Sequence, residues 1–300
     1  MFSESFLRRL ERLALIFRNA AKSQMLGERR SSRRGQSVEF SDFRPYTLGD
    51  DFRRIDWNAY ARLERLFLKL FVEEEEITLQ LLIDNSLSMD WGEPNKLEYA
   101  VRAAAALGYI ALVGLDRVSV SALYKQDREA NIYFPPVRGK GSTLQFFSSL
   151  QTISPAARPI TAGNIITSTI PNIKSPGMVI LFSDLMADQW QPAASLLRSL
   201  GHEISIIHIL SPDEIAPELS GDFALLDSET DSGSDMGSKS IVEITADYET
   251  LQQYRTNLTA WQEDWRRYCT ARQIAYLPVS TSLPLEDLLF AWMPARGVLR

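Results

Sequence analysis

Ile77-Thr78-Leu79-Gln80-Leu81-Leu82-Ile83-Asp84-Asn85-Ser86-Leu87-Ser88-Met89 changes character once along its length. The first seven residues are nearly all apolar, as a parallel strand covered on both faces must be. The strand then closes on an acid and turns polar. Asp-x-Ser-x-Ser places one carboxylate and two hydroxyls in a tight turn, so that Asp84, Ser86 and Ser88 aim three oxygens at one point. Oxygen-only donors suit a hard divalent cation such as Mg²⁺. Alone the pattern is weak, because Asp and Ser are common turn residues. Its setting adds weight, since ligands in open parallel sheets gather beyond the carboxyl ends of the strands.

Outward from this stretch, strands and helices alternate. Asn95 to Leu115 is helical, with Leu97, Val101, Ala104, Leu107 and Ala111 on one face. RVSVSALY (117–124) and ANIYFPP (130–136) read as short strands joined through QDRE, STLQFFSSLQTI as a helix and GNIITSTIPNI as a weaker one. MVILFSD repeats the apolar-then-acid arrangement and ends at Asp184. A helix over 192–200, the strand EISIIHIL, a hairpin over 221–245 with a DSGSDMGS tip, a long helix, the strand IAYLPV and a helix over 285–292 follow. In the long helix Tyr248, Leu251, Tyr254, Leu258, Trp261, Trp265 and Tyr268 step by three or four along one face. This order predicts a three-layer α/β fold whose mostly parallel sheet is flanked by helices.

At the N-terminus Phe6, Leu10, Leu13 and Phe17 recur at helical spacing over residues 4–22, and 23–36 is a polar linker. Residues 1–35 hold nine Lys or Arg against three Glu, a net of +6, so the rest carries −12 of the overall −6. Such an arm can dock on its own acidic body, for instance near Glu73 to Glu76, or on a partner. Binding of nucleic acid or a membrane surface is the other reading; no aromatic or RNA-motif pattern accompanies the basic residues, so no nucleic acid is expected.

The 45% hydrophobic and 23% charged content is that of a globular protein. One cysteine, Cys269, excludes an intramolecular disulfide framework and a cysteine zinc cluster, and reads as a buried thiol. His208, in an apolar run, reads as a core-facing strand residue. No secretory signal is visible, and the longest apolar stretch, Ala103 to Leu115, is shorter than the ~20 residues that span a bilayer, so a cytoplasmic location is expected.

LLIDNSLSM (81–89) resembles the metal-ion-dependent adhesion site of von Willebrand factor A domains. The preceding block, Ser37 to Glu76, resembles the signature of the bacterial domain-of-unknown-function 58 family through Arg44, Tyr46, Gly49, Asp50, Asp51, Arg53, Ile55, Asp56, Trp57, Ala61 and Arg62; the later LDRV also fits. The first resemblance implies a metal held by Asp84, Ser86, Ser88 and Asp184, with a second-loop threonine for which Thr161 is the nearest residue. Ala162-Gly163-Asn164 stands where that threonine is expected, and Thr143 lies one helix too early. The second implies a non-catalytic interaction module that partners a MoxR-type AAA+ ATPase in chaperone-like assembly or maturation of a client complex. The expected organisation is a basic helix and linker (1–36), the signature segment packed on the core (37–76), and a von Willebrand factor A-like domain (77–300) with an insertion near 221–245.

Within the signature, Arg53, Arg54 and Arg62 interleave with Asp50, Asp51 and Asp56, which suggests internal ion pairs ordering a loop, or a docking surface, with Trp57 as a buried anchor in either case. RGKGST fails the phosphate-loop pattern, because Gly141 follows Lys140. A hydrolase built on Asp84 and Asp184 would need a base or a second metal.

Overall fold

The computed structural model describes residues 2–14, 39–47, 50–72, 78–123, 133–156, 177–186, 190–226 and 241–296. The linker over 23–36, Gly49, Glu73 to Glu76, the QDRE turn, Thr161, the helix expected over 163–173 and the DSGSDMGS tip lie outside them. The chain divides into two compact units, Met1–Gln24 with Ile77–Arg300, and Met25–Glu76.

The larger unit is α/β. Its sheet runs β10 (Ala275–Ser280), β7 (Glu203–Leu210), β6 (Met178–Ser183), β3 (Thr78–Ile83), β4 (Arg117–Ala122), β5 (Tyr133–Arg138). All neighbours pair in parallel except β4 and β5, which are antiparallel. The expected strand over 130–136 is thus found a few residues later. Pro135 and Pro136 are tolerated there because an edge strand need not donate both sets of amides.

Successive side chains alternate between two cores, as the pleat requires. Leu79, Leu81, Ile83, Ile180, Phe182, Ile207 and Ile209 join the helices Lys96–Val113 and Thr143–Gln151. Leu82, Val179, Leu181, Ile204 and Ile206 meet the helix Trp190–Ser199 and the far end of the helix Tyr248–Ala271. The helix Lys96–Val113 was expected to show one apolar face, yet residues 103–112 are all buried. Its alanines let neighbours approach on every side, and Phe146 lies where a Cβ on Gly108 would fall, 2.1 Å away. The long helix departs the other way. Only Trp265 and Cys269 are buried, and Tyr248 is 82% exposed, so its apolar stripe settles on the body only toward the C-terminal end.

Residues 4–14 form the first helix, and its apolar stripe is spent on the body: Phe6, Leu10, Leu13 and Ala14 are buried in the first core. Arg9 pairs with Glu286 at 2.5 Å and lies 4.7 Å over the Phe290 ring. Glu11 accepts hydrogen bonds from Tyr109 (2.6 Å) and Lys140 (2.5 Å), which accounts for the lysine of the RGKGST segment. Residues 6–14 thus dock on the chain's own body, while residues 15–36 of the basic arm lie outside the described residues. The expected hairpin is β8 (Gly221–Leu226) with β9 (Ile241–Ala246), antiparallel. His208 and Cys269 are buried as expected.

In the smaller unit, β1 (Glu39–Pro45) pairs antiparallel with β2 (Phe67–Val72) around a bulge between Phe40 and Asp42. Two acids of the signature cap helix starts. Asp51 accepts from the amide of Arg53, and Asp56 from those of Asn58 and Ala59 at the start of the helix Trp57–Leu63. Asp50 forms a bidentate pair with Arg44 (2.8 and 2.6 Å) and accepts from Thr47, which holds its carboxyl well below the usual range. Trp57 is not the buried anchor expected: it is 62% exposed, edge-on to the exposed Tyr60.

Leu10 has no exposed surface. Leu10→Ala should therefore cost about 2–5 kcal/mol in denaturant unfolding, whereas Ser5→Ala on the exposed face should change stability by less than about 0.5 kcal/mol.

Candidate functional site

Connections leave β3 toward β4 and β5 on one side and return to β6, β7 and β10 on the other, so the switch point of the sheet lies between β3 and β6. Both acid-ended strands flank it, which is where open α/β sheets hold ligands. The amide of Asp84 donates to the carbonyl of Phe182 at 2.9 Å, extending the ladder to the acid itself. Asp84 Oδ1 accepts from the amide of Ser86 (3.0 Å), and Oδ2 accepts from the Ser183 hydroxyl at 2.5 Å. Ser86 and Ser88 hydroxyls lie 3.0 Å apart and share a hydrogen bond. The chain after the helix Thr143–Gln151 completes the loop cluster: Asn85 accepts from the amide of Ala156 (2.8 Å) and donates through its side chain to the carbonyl of Ser154 (2.8 Å).

Asp184 Oδ1 accepts from the amide of Met186 (3.1 Å), and Oδ2 takes the ammonium of Lys96 at 2.9 Å. The same ammonium reaches Glu214 at 2.5 Å. Lys96 has no exposed side-chain surface, Asp184 has 1% and Glu214 has 18%. Glu214 is fixed by a capping box with Ser211 at the single helical turn Pro212–Ile215, just past β7. Gly92 draws the loop after Ser88 onto this turn. Its φ of +87° suits glycine, and a Cβ there would stand 2.3 Å from that of Ser211.

Burial and the neighbouring Asp184 carboxylate push the Asp84 carboxyl up from its ordinary value, against hydrogen bonds from Ser183 and Ser86 that pull it down. His208 goes the other way: burial lowers it from 6.5 to about 4. Its Nδ1 shares a 2.6 Å hydrogen bond with the hydroxyl of Tyr276, and its ring stands edge-on to Trp261.

Asp84, Ser86, Ser88 and Asp184 are therefore brought to one edge, while Thr161 lies outside the described residues and Thr143 hydrogen-bonds to the carbonyl of Lys140. Spacing arguments missed Lys96, Ser183 and Glu214. Lys96 carried a signal, since it shares a helix face with Ala100, Ala103 and Leu107, and a lysine there must meet an acid. The two serine hydroxyls are separated by about the edge of a Mg²⁺ octahedron, ~3.0 Å for ~2.1 Å ligands. The acid side does not fit a divalent ion, because Asp184 already holds a buried ammonium. Among the described residues no group of three or more His, Cys, Asp or Glu side chains is placed to hold a metal, and no helix is long and apolar enough to cross a membrane.

A family model described as "Protein of unknown function DUF58" matches residues 42–257. The chain belongs to this family. The resemblance drawn from Ser37 to Glu76 is thus borne out. An uncharacterised protein of Mycobacterium tuberculosis and one of Mycobacterium bovis are each 26% identical to this DUF58 chain over 203 residues. The alignment covers 65% of this chain and 62% of theirs, so the chain spans under two thirds of the length of the curated relatives it matches. Among solved structures, an aerotolerance-related membrane protein of Bacteroides fragilis is 14% identical at a TM-score of 0.40, covering 74% of this chain and 96% of its own. The PilB minor pilin of Streptococcus sanguinis (the D319A mutant) is 10% identical at 0.37, covering 78% and 64%. At these TM-scores neither likeness adds to the assignment.

The two shifted groups act oppositely on stability. His208 binds a proton more readily unfolded, so its contribution is complete above about pH 6.5 and is lost as pH falls toward 4. Asp84 holds its proton longer in the folded chain, so its contribution declines as pH rises. His208→Gln should remove about 2 kcal/mol of the stability lost between roughly pH 7 and pH 5, read from urea unfolding at the two pH values; an unchanged difference would show that His208 titrates normally.

Proposed function

We propose that this DUF58 chain is a non-catalytic protein-interaction module of von Willebrand factor A type, working with a MoxR-type AAA+ ATPase in the assembly or maturation of protein complexes. The observation that carries the reading is the make-up of the sheet's carboxyl-end edge. Its buried charges are spent on one another, while the loops leaving β3, β6 and β7 expose Trp91 (60%), Met186 (49%) and Ile215 (37%). A rim of exposed apolar side chains around a rigid polar floor suits recognition of a protein surface, where a few aromatic and Met anchors carry most of the affinity. The sheet order with one antiparallel edge strand supports the domain type. A hydrolytic reading is less well served: His208 is buried, low in pKa and tied to Tyr276, so it is no base for a reaction at Asp84 or Asp184.

A second surface has its own support. On the helix Trp57–Leu63, Trp57, Tyr60 and Leu63 are all exposed and recur at three-residue spacing, as a helix-in-groove contact would use them.

The purified ATPase of the same organism, titrated against the immobilised full chain, tests both. Combined Trp91→Ser, Met186→Ser and Ile215→Ser should weaken binding by about a hundredfold with Tm unchanged, as loss of anchor side chains does. If only Trp57→Ala with Tyr60→Ala weakens it, the docking face is the signature helix; if neither set does, the partnership fails. Metal-dependent turnover of a model phosphoester, lost in Asp84→Ala, would install the hydrolase reading instead.

A further inference from the structure

We infer that the ammonium of Lys96 serves as a built-in cation at this edge, in place of a divalent metal at Asp184. The inference rests on ion-pair geometry and holds whether or not the edge binds a partner. Lys96 opens the helix that follows the Asp84–Ser88 loop, directly after its N-cap Asn95. Its side chain has no exposed surface, and its ammonium lies 2.9 Å from Asp184 and 2.5 Å from Glu214. Three strand ends are joined through this one group: the acid after β6, the capped turn after β7 and the helix reached from β3. That is the organising task a metal bridging several loops performs.

Each carboxylate oxygen of the two aspartates already has a protein donor. Asp84 takes the Ser86 amide and the Ser183 hydroxyl, and Asp184 takes the Met186 amide and Lys96. Ser86 and Ser88 satisfy each other. A divalent ion would share these oxygens with their donors and would stand near a fixed positive charge that cannot leave. Charge repulsion opposes it. An ammonium also differs from a metal in permanence, since it cannot be exchanged, chelated or outcompeted.

Mn²⁺ binding to the full chain, followed by electron paramagnetic resonance and calorimetry, tests this. The wild type should show no site tighter than on the order of 1 mM, and its Tm should be the same in EDTA and in excess Mg²⁺. Lys96→Met keeps the stem and removes the charge. It should gain a Mn²⁺ site at least about tenfold tighter than any wild-type site, and Mn²⁺ should raise its Tm. Adding Asp184→Asn to Lys96→Met should abolish that gain. Sub-millimolar Mn²⁺ binding by the wild type, lost in Asp84→Ala, would overturn the inference. So would a folded Lys96→Met chain that binds Mn²⁺ no better than the wild type. Should Lys96→Met not fold even with Mn²⁺, the wild-type titration decides alone.

Discussion

A lysine with no exposed surface, its ammonium within 3 Å of two carboxylates, sets the terms for everything built at the carboxyl edge of the sheet. A buried charge is tolerated only when its partners are close and fixed, and removing either side leaves a cost of several kcal/mol. The constraint therefore works in both directions. Asp184 can sit at the end of an apolar strand because Lys96 meets it, and Lys96 can face the core because Asp184 and the capped Glu214 meet it. The loops carrying these groups inherit their positions from this requirement, down to the close approach of Gly92 to Ser211.

The parallel sheet supplies the rest. Because β3 and β6 are neighbours and connections diverge between them, two acids reached from distant parts of the chain arrive side by side. Burial, and then the neighbouring Asp184, raise Asp84, and the same burial lowers His208 on β7. The edge thus sets two carboxylates on one ammonium, with Asp84 pushed toward its neutral form beside them. Specificity then falls to the exposed side chains around it rather than to the acids beneath.

Much of this was legible in residue order. Apolar runs ending on Asp84 and Asp184 specified buried parallel strands, because few other elements have that pattern, and the forty-residue block before them specified the family. The polar network was less legible. Hydrogen bonding such as Ser183 to Asp84 joins residues 99 apart, and spacing along a chain carries no information about it. Lys96 was readable only by asking what a charge does on an alanine-lined helix face. The signature's acids were less legible for a different reason. Asp51 and Asp56 look like ion-pair partners in composition, but each also caps a helix start by accepting from nearby backbone amides, which composition does not show. Trp57 reads as a buried side chain in the sequence yet is exposed, because burial depends on what lies opposite, which local sequence does not state.

The first helix carries a consequence for how the chain is made. Arg9 and Glu286 pair across 277 residues, and Phe6 packs edge-on to Phe290. The apolar stripe of residues 6–14 shares its core with Leu285, Leu288, Leu289 and Met293. During synthesis residues 6–14 must wait for residues 285–293 before that core can close. Such long-range closure slows folding and leaves apolar surface open meanwhile. Until then the stripe stays exposed on the growing chain, at the stage when it is most open to capture by other chains.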